Sequence, residues 1–284
     1  MFLLTHPKSL EIERSERLWR GVEENVAIFG SSRAAMCIVS DLLATNAYNY
    51  GIRGSEMNET VFMIKKRLQS MTNGIVVINL DLHGVPDDWG DVHKHPFRGE
   101  YRFVAQRSEM PIGVLKCTDT LPGLRFQGKL KSTLTDWLQR RNNTKSEIVC
   151  GAQLFKESPN ESAWGYMQKV ANLSDFHMAN DFQSVLDEIY ETRHPNVSIV
   201  WVVCPISPAL CGKYNNAPIN EFLEYQMMNE GVYAFNFIGE SKFFGRECFC
   251  DWYHLNLKGA REFTALLRQK MVTIQELNKG LVDN

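Results

Sequence analysis

The sequence predicts an α/β fold: a doubly wound, mainly parallel sheet of about five strands with a large insertion after the third strand. Three observations carry this expectation. Residues 25–29, 75–80 and 197–204 are short apolar runs without polar alternation, as strands covered on both faces require. Stretches with apolar residues at helical spacing fall between these runs. The alternation then lapses from about 83 to 180, a stretch dense in Pro and Gly that would make an implausibly long loop inside a compact domain.

The elements follow in order. Residues 8–24 are strongly charged, with Leu10, Ile12, Leu18 and Trp19 interspersed, and predict an amphipathic lead-in helix. The first strand, 25–29, stops at Gly30, and a helix is expected over 33–43. Residues 47–50 form a second strand ending in Gly51, and a helix covers about 56–71. Gly74 breaks it before Ile75-Val76-Val77-Ile78-Asn79-Leu80, the clearest strand of the chain. Within the insertion, helices are expected near 131–141 and 163–172. Beyond it come a helix over 181–192, a strand over 197–204 stopped by Pro205, a helix over 219–230, a strand over 232–237 and a closing helix over 258–277. The division expected is a lead-in over 1–24, one α/β domain over 25–277 and a tail over 278–284.

Composition narrows the function classes. The chain has 284 residues, 44% hydrophobic and 23% charged, with a formal net charge of -2. No basic field favours nucleic acid as a partner. No apolar run approaches the ~20 residues that span a bilayer. The first residues turn polar too soon for a secretory signal, so the sequence as it stands predicts a cytoplasmic protein, or an envelope or extracellular one if a leader or anchor has been removed. Seven cysteines include Cys248-Phe249-Cys250, Cys204 and Cys211, but the C-x-C spacing is not that of a zinc knot. Buried free thiols are the expectation. His93-Lys94-His95, near Asp87, Asp88 and Asp91, reads as a solvated loop rather than a metal site. Trp89, Phe97, Tyr101 and Phe103 serve equally as a stacking wall for a sugar or as the insertion's own small core.

Two short motifs carry chemistry. Gly30-Ser31-Ser32-Arg33 lies at a strand-to-helix junction, where a hydroxyl stands above the carboxyl edge of the sheet and helix N–H groups are free. On this turn alone, capping of the helix by Ser31 or Ser32 is the commoner role. Asp251-Trp252-Tyr253-His254-Leu255-Asn256 precedes the last helix. Its three-residue spacing lets a carboxylate reach imidazole Nδ1–H and leaves Nε2 free to accept a serine proton.

The order of these motifs resembles the SGNH (GDSL-like) hydrolase superfamily, the Gly-Ser-Ser-Arg variant being similar to envelope-associated branches. The resemblance covers about 25–82 and 195–270. It implies that Ser32 is the nucleophile, His254 the general base and Asp251 the residue orienting it. It further implies oxyanion donors at the N–H groups of Ser32 and Gly51, although Gly51 also reads as a turn glycine with positive φ. The family's Gly-x-Asn-Asp is replaced here by Asn79-Leu80-Asp81, so Asn79 is the substitute donor and Asp81, acceptor-only, would oppose an oxyanion. Arg33 is a candidate for holding an anionic substrate. No cofactor or metal is implied. The resemblance implies a serine esterase acting through an acyl-enzyme on a small-molecule or glycan acyl ester. An acyltransferase with the same triad and a lapsed hydrolase domain that binds glycans are the alternatives.

Overall fold

The computed structural model describes residues 14, 17, 18, 21, 24–53, 55, 57–85, 87, 146–155, 176–240 and 244–282. Its centre is one five-stranded, wholly parallel sheet: β1 (Val26–Phe29), β2 (Ala47–Asn49), β3 (Gly74–Asn79), β8 (Val197–Val203) and β9 (Val232–Asn236), in the order β2-β1-β3-β8-β9. The chain winds outward from β1 to β2, then returns to β3 on the other side of β1. That reversal opens a crevice at the carboxyl ends of β1 and β3. The expected α/β, mainly parallel sheet is therefore what the chain forms. The apolar runs have the burial that two covered faces demand: Val76, Val77, Ile199, Val200, Val202 and Val203 are fully enclosed.

Beyond the lead-in, the sheet is flanked by α1 (Ser32–Cys37), α2 (Ser40–Leu43), α3 (Met57–Leu68), α4 (Phe182–Thr192), α5 (Pro208–Cys211), α6 (Ala217–Gln226) and α7 (Leu257–Val282). The helix expected over 33–43 is broken in two, with Ile38 and Val39 extended. β-branched residues resist the helix only slightly, so the break has other causes. Asn49 Nδ2 donates to Ala34 O at 2.7 Å and Ile38 O at 3.0 Å, and Val39 N donates to Thr264 Oγ1 at 2.9 Å. These partners satisfy backbone groups that a continuous helix would have used.

The stretch read as an insertion begins and ends in a short parallel pair, β4 (Gly84–Val85) with β7 (His177–Met178). A hairpin the sequence reading did not anticipate, β5 (Ser146–Val149) and β6 (Ala152–Phe155), packs on α1. Its turn touches the sheet edge, where Asn49 N donates to Cys150 O at 2.9 Å. The helices expected near 131–141 and 163–172, the aromatic residues between Trp89 and Phe103 and the His93–His95 cluster lie outside the described residues. Of the expected lead-in helix, Arg14, Arg17 and Leu18 are described and helical. Arg14 is buried and donates to Gly151 O at 2.8 Å, while Arg17 lies over the Tyr48 ring at 4.3 Å.

A buried polar cluster links the amino edge of the sheet to the end of β2. Glu24 is buried and accepts from Tyr50 Oη at 2.6 Å, and it pairs with Arg67 Nη2 at 2.8 Å. Tyr50 also stacks on Phe29, with centroids 5.1 Å apart. This arrangement holds the β2 end, and therefore Gly51, against β1. Among the described residues, no helix is long and apolar enough to cross a membrane.

Candidate active site

The turn from β1 into α1 is sharp because Gly30 takes φ 141, a conformation open to glycine. It must also be small: a Cβ there would lie 2.9 Å from Asn79 Cβ and 3.0 Å from Ala34 Cβ. The turn delivers Ser32 at the first position of α1. The capping alternative is not what is seen. Ser31, the residue before the helix, makes no side-chain cap bond, and Ser32 Oγ turns away to His254 Nε2 at 2.8 Å.

His254 is presented by a tight turn between a 3₁₀ segment, Arg246–Cys248, and α7. Cys250 N donates to His254 O at 2.7 Å, Asn256 N to Cys248 O at 2.9 Å, and Phe249 bridges Leu255 across the turn. Asn256 is nearly enclosed, donates to Glu247 O at 2.6 Å and accepts from Gly259 N at 3.1 Å, so it ties the turn to the start of α7.

Asp251 closes the chain of contacts. Its Oδ2 is 2.8 Å and its Oδ1 3.0 Å from His254 Nδ1. Oδ1 also accepts from Tyr253 N at 2.8 Å and His254 N at 2.9 Å. Burial pushes this carboxyl up, but the His254 ring and the two N–H donors outweigh it and hold it below the usual aspartate value. Asp251 is thus ionised at neutral pH and acceptor-only, which fixes the neutral imidazole with its proton on Nδ1. Nε2 is then an acceptor facing Ser32 Oγ.

The other sequence candidates fall around this line in different ways. The Ser32 N–H lies in the first turn of α1, where no intrahelical acceptor exists. Gly51 N donates to Asn49 Oδ1 at 2.8 Å. Gly51 is not in the left-handed region; it is glycine because a Cβ would meet Ala35 N at 2.6 Å. Asn79 Nδ2 donates to Val202 O at 3.0 Å and Cys204 Sγ at 3.2 Å, and its buried Oδ1 has no partner among the described residues. Asp81 stands half-buried just beyond β3, and its charge reaches Cys204. Arg33 is only 4% exposed and points inward, where its Nη2 donates to Cys204 O and Pro205 O. The structure therefore brings Ser32, His254 and Asp251 together, and it draws Arg33 and Asn79 into the scaffold behind them.

No protein-family model and no curated protein sequence matches the chain. Among solved structures, the chain is similar to a candidate platelet activating factor from Streptococcus pneumonia. The two share 12% identity over 95% of this chain and 94% of that one, with a TM-score of 0.44. A likeness at that level assigns neither activity nor residue roles to this chain.

Several residues that shape the site carry little sequence signal. Asn49 sits within a buried strand, and only its being an amide among apolar neighbours hints at the work of its two ends, which hold α1 and Gly51. Cys37 reads as one more buried thiol, and it is fully enclosed at the end of the helix that Ser32 opens. Chemically, the arrangement offers a hydroxyl with a base aligned on it and an anion aligned on the base. This is the requirement for generating an alkoxide-like nucleophile at neutral pH.

Proposed function

We propose that the protein is a serine hydrolase of the SGNH type that cleaves carboxylic esters through an acyl-enzyme. The observation that carries this reading is the continuous Ser32–His254–Asp251 hydrogen-bond line, 2.8 Å at each junction. In the first half-reaction, Ser32 Oγ attacks the ester carbonyl as its proton moves to His254 Nε2. The imidazolium is stabilised by Asp251, and it returns the proton to the departing alcohol as the carbon–oxygen bond breaks. In the second, water attacks the acyl-serine with His254 again as base, and the carboxylic acid leaves.

The tetrahedral oxyanion requires donors. The Ser32 N–H at the start of α1 is suited to this by its lack of an intrahelical partner. Gly51 N–H contributes only if it shares its hydrogen with Asn49 Oδ1. A single well-placed donor is compatible with turnover, but the loss of one typically costs about 100- to 1,000-fold in rate, so a modest kcat is expected. The carbohydrate O-acyl esters suggested by the Gly-Ser-Ser-Arg variant are the substrates to try first. Acetate release from O-acetylated glycans and from an aryl acetate, wild type against Ser32→Ala, tests the reading. Turnover of both that disappears in Ser32→Ala supports it. Cleavage of the aryl acetate alone would remove the carbohydrate assignment.

The engagement of Gly51 N and Asn79 Nδ2 favours a second reading, a lapsed hydrolase fold that binds its ligand without cleaving it. That reading requires Ser32→Ala to bind an acetylated glycan as tightly as the wild type, with neither protein releasing acetate.

A further inference from the structure

We propose that Arg33 is a positioning residue for Ser32, fastening the nucleophile's helix to the segment 204–207, which also holds the turn that carries His254. This rests on the reading of Ser32 and His254 as nucleophile and base. The two partners of the Ser32–His254 bond are 222 positions apart in sequence, so their spacing depends on contacts between separate segments. α1 is only six residues long, and Ser31 gives it no side-chain cap. From β2, Asn49 Nδ2 holds it through Ala34 O. From beyond β8, Cys204 O and Pro205 O hold it through Arg33, whose Nη2 donates to both, at 3.2 Å to the second. Two residues further on, Ser207 N donates to Trp252 O at 2.9 Å, next to Asp251. Cys204, Ile206 and Ser207 are enclosed. This continuation of β8 is therefore a fixed strap, with the nucleophile's helix on two of its carbonyls and the base's turn on one of its N–H groups.

A charged side chain at this place marks the contact as specific. Arg33 is buried, and enclosing a guanidinium is costly unless its hydrogens are taken. Cys204 and Pro205 follow Val203, the last residue of β8, so their carbonyls stand beyond the strand and are open to a side-chain donor. Nε and Nη1 have no partner among the described residues, so these two carbonyls are where the side chain is held. An apolar residue of like volume would fill the same space without burying a charge, but it would leave α1 free to turn. Ser32 and Arg33 are adjacent, about 100° apart around the helix axis, so the inward anchoring of one sets the direction of the other. With Cα atoms about 2.3 Å from that axis, a rotation of about 25° moves Ser32 by about 1 Å. A misplacement of that size costs a reaction about 100-fold.

The test compares wild type, Arg33→Lys and Arg33→Met with Leu186→Ala, a core truncation on α4, at a temperature below every melting point. The readouts are the rate of labelling by a fluorophosphonate, and kcat and KM on an aryl acetate. Arg33→Met should label about 100-fold more slowly, with kcat reduced by a similar factor and KM within about twofold of wild type. Arg33→Lys keeps a charged donor that can reach one carbonyl, and should recover about tenfold of that loss. Leu186→Ala should melt lower yet label at the wild-type rate. Labelling of Arg33→Met within about twofold of wild type overturns the proposal and leaves the triad standing. So does a loss carried by KM, which would assign Arg33 to substrate binding, and so does an equal slowing in Leu186→Ala, which would make the effect one of stability. An Arg33→Lys that gains nothing over Arg33→Met overturns it too. If Arg33→Met does not fold, Arg33→Lys decides alone: about tenfold slower labelling is expected, and labelling within about twofold of wild type overturns the proposal. A wild type that never labels overturns the triad reading, and the positioning role with it.

Discussion

Replacing Asp251 by Asn should disable the protein while leaving its fold intact, and the structure says which way the amide will sit. Asp251 Oδ1 accepts from two backbone N–H groups, those of Tyr253 and His254, at 2.8 and 2.9 Å. An asparagine must place its oxygen there, since its NH2 would face two donors. The amide nitrogen then occupies the Oδ2 position, 2.8 Å from His254 Nδ1. Facing a donor, Nδ1 must become the acceptor, so the ring proton moves to Nε2 and points at Ser32 Oγ. The base is lost through the tautomer and not through movement of any heavy atom. In another serine hydrolase the same exchange lowers kcat by about 10,000-fold. Here a fall of about 1,000- to 10,000-fold is expected, equivalent to about 4–5.5 kcal/mol of barrier. The assay is initial rate on an aryl acetate, with a thermal melt on the same samples. A variant that keeps more than about a tenth of wild-type activity, with an unchanged melt, would refute the tautomer argument.

Three further outcomes follow from the scaffold. Glu24→Ala leaves Arg67, 1% exposed, and the Tyr50 hydroxyl buried without their shared partner, and should destabilise the protein by about 3–5 kcal/mol in chemical denaturation. Gly51→Ala puts a methyl 2.6 Å from Ala35 N, within the packing of α1, and should cost about 1–3 kcal/mol, read as a lower denaturation midpoint. Stability should rise from about pH 7 to 9, because folded Cys37 releases its proton near 7 while an unfolded thiol keeps it to 9.0. Above 9.0 the trend should reverse, as Cys248 and Cys250, raised by burial to about 11 and about 12, hold protons that the unfolded chain has already lost. Melting temperatures across this range would check both limbs, and Cys37→Ser should flatten the first.

Much of the sheet was legible because a parallel strand enclosed on both faces writes an uninterrupted apolar run. Residues 75–80 and 197–204 announce β3 and β8 to within a residue. The contact of Asp251 with His254 was legible because it spans three residues within one turn, and the place of Ser32 because it opens a helix directly after a strand. What local pattern does not contain is the partner supplied from elsewhere. The break at Ile38-Val39 depends on Asn49 and Thr264, which are 11 and 225 positions away. Asn79, the substitute oxyanion donor in the sequence reading, spends its amide on Val202 O and Cys204 Sγ, because β8 lies alongside. Arg33, a natural anion binder beside a nucleophile, finds carbonyls at the end of β8 that sequence could not place within its reach. The β5–β6 hairpin escaped notice because its strands are short and sit in a segment dominated by turn residues.

The central claim is that Ser32 is a nucleophile activated by His254. The most direct test is to react the protein with a fluorophosphonate at neutral pH and map the adduct by peptide mass spectrometry. The account predicts a single adduct on Ser32 that is lost in Ser32→Ala and strongly slowed in His254→Ala. No adduct, or one that persists on another residue when Ser32 is replaced, would contradict it.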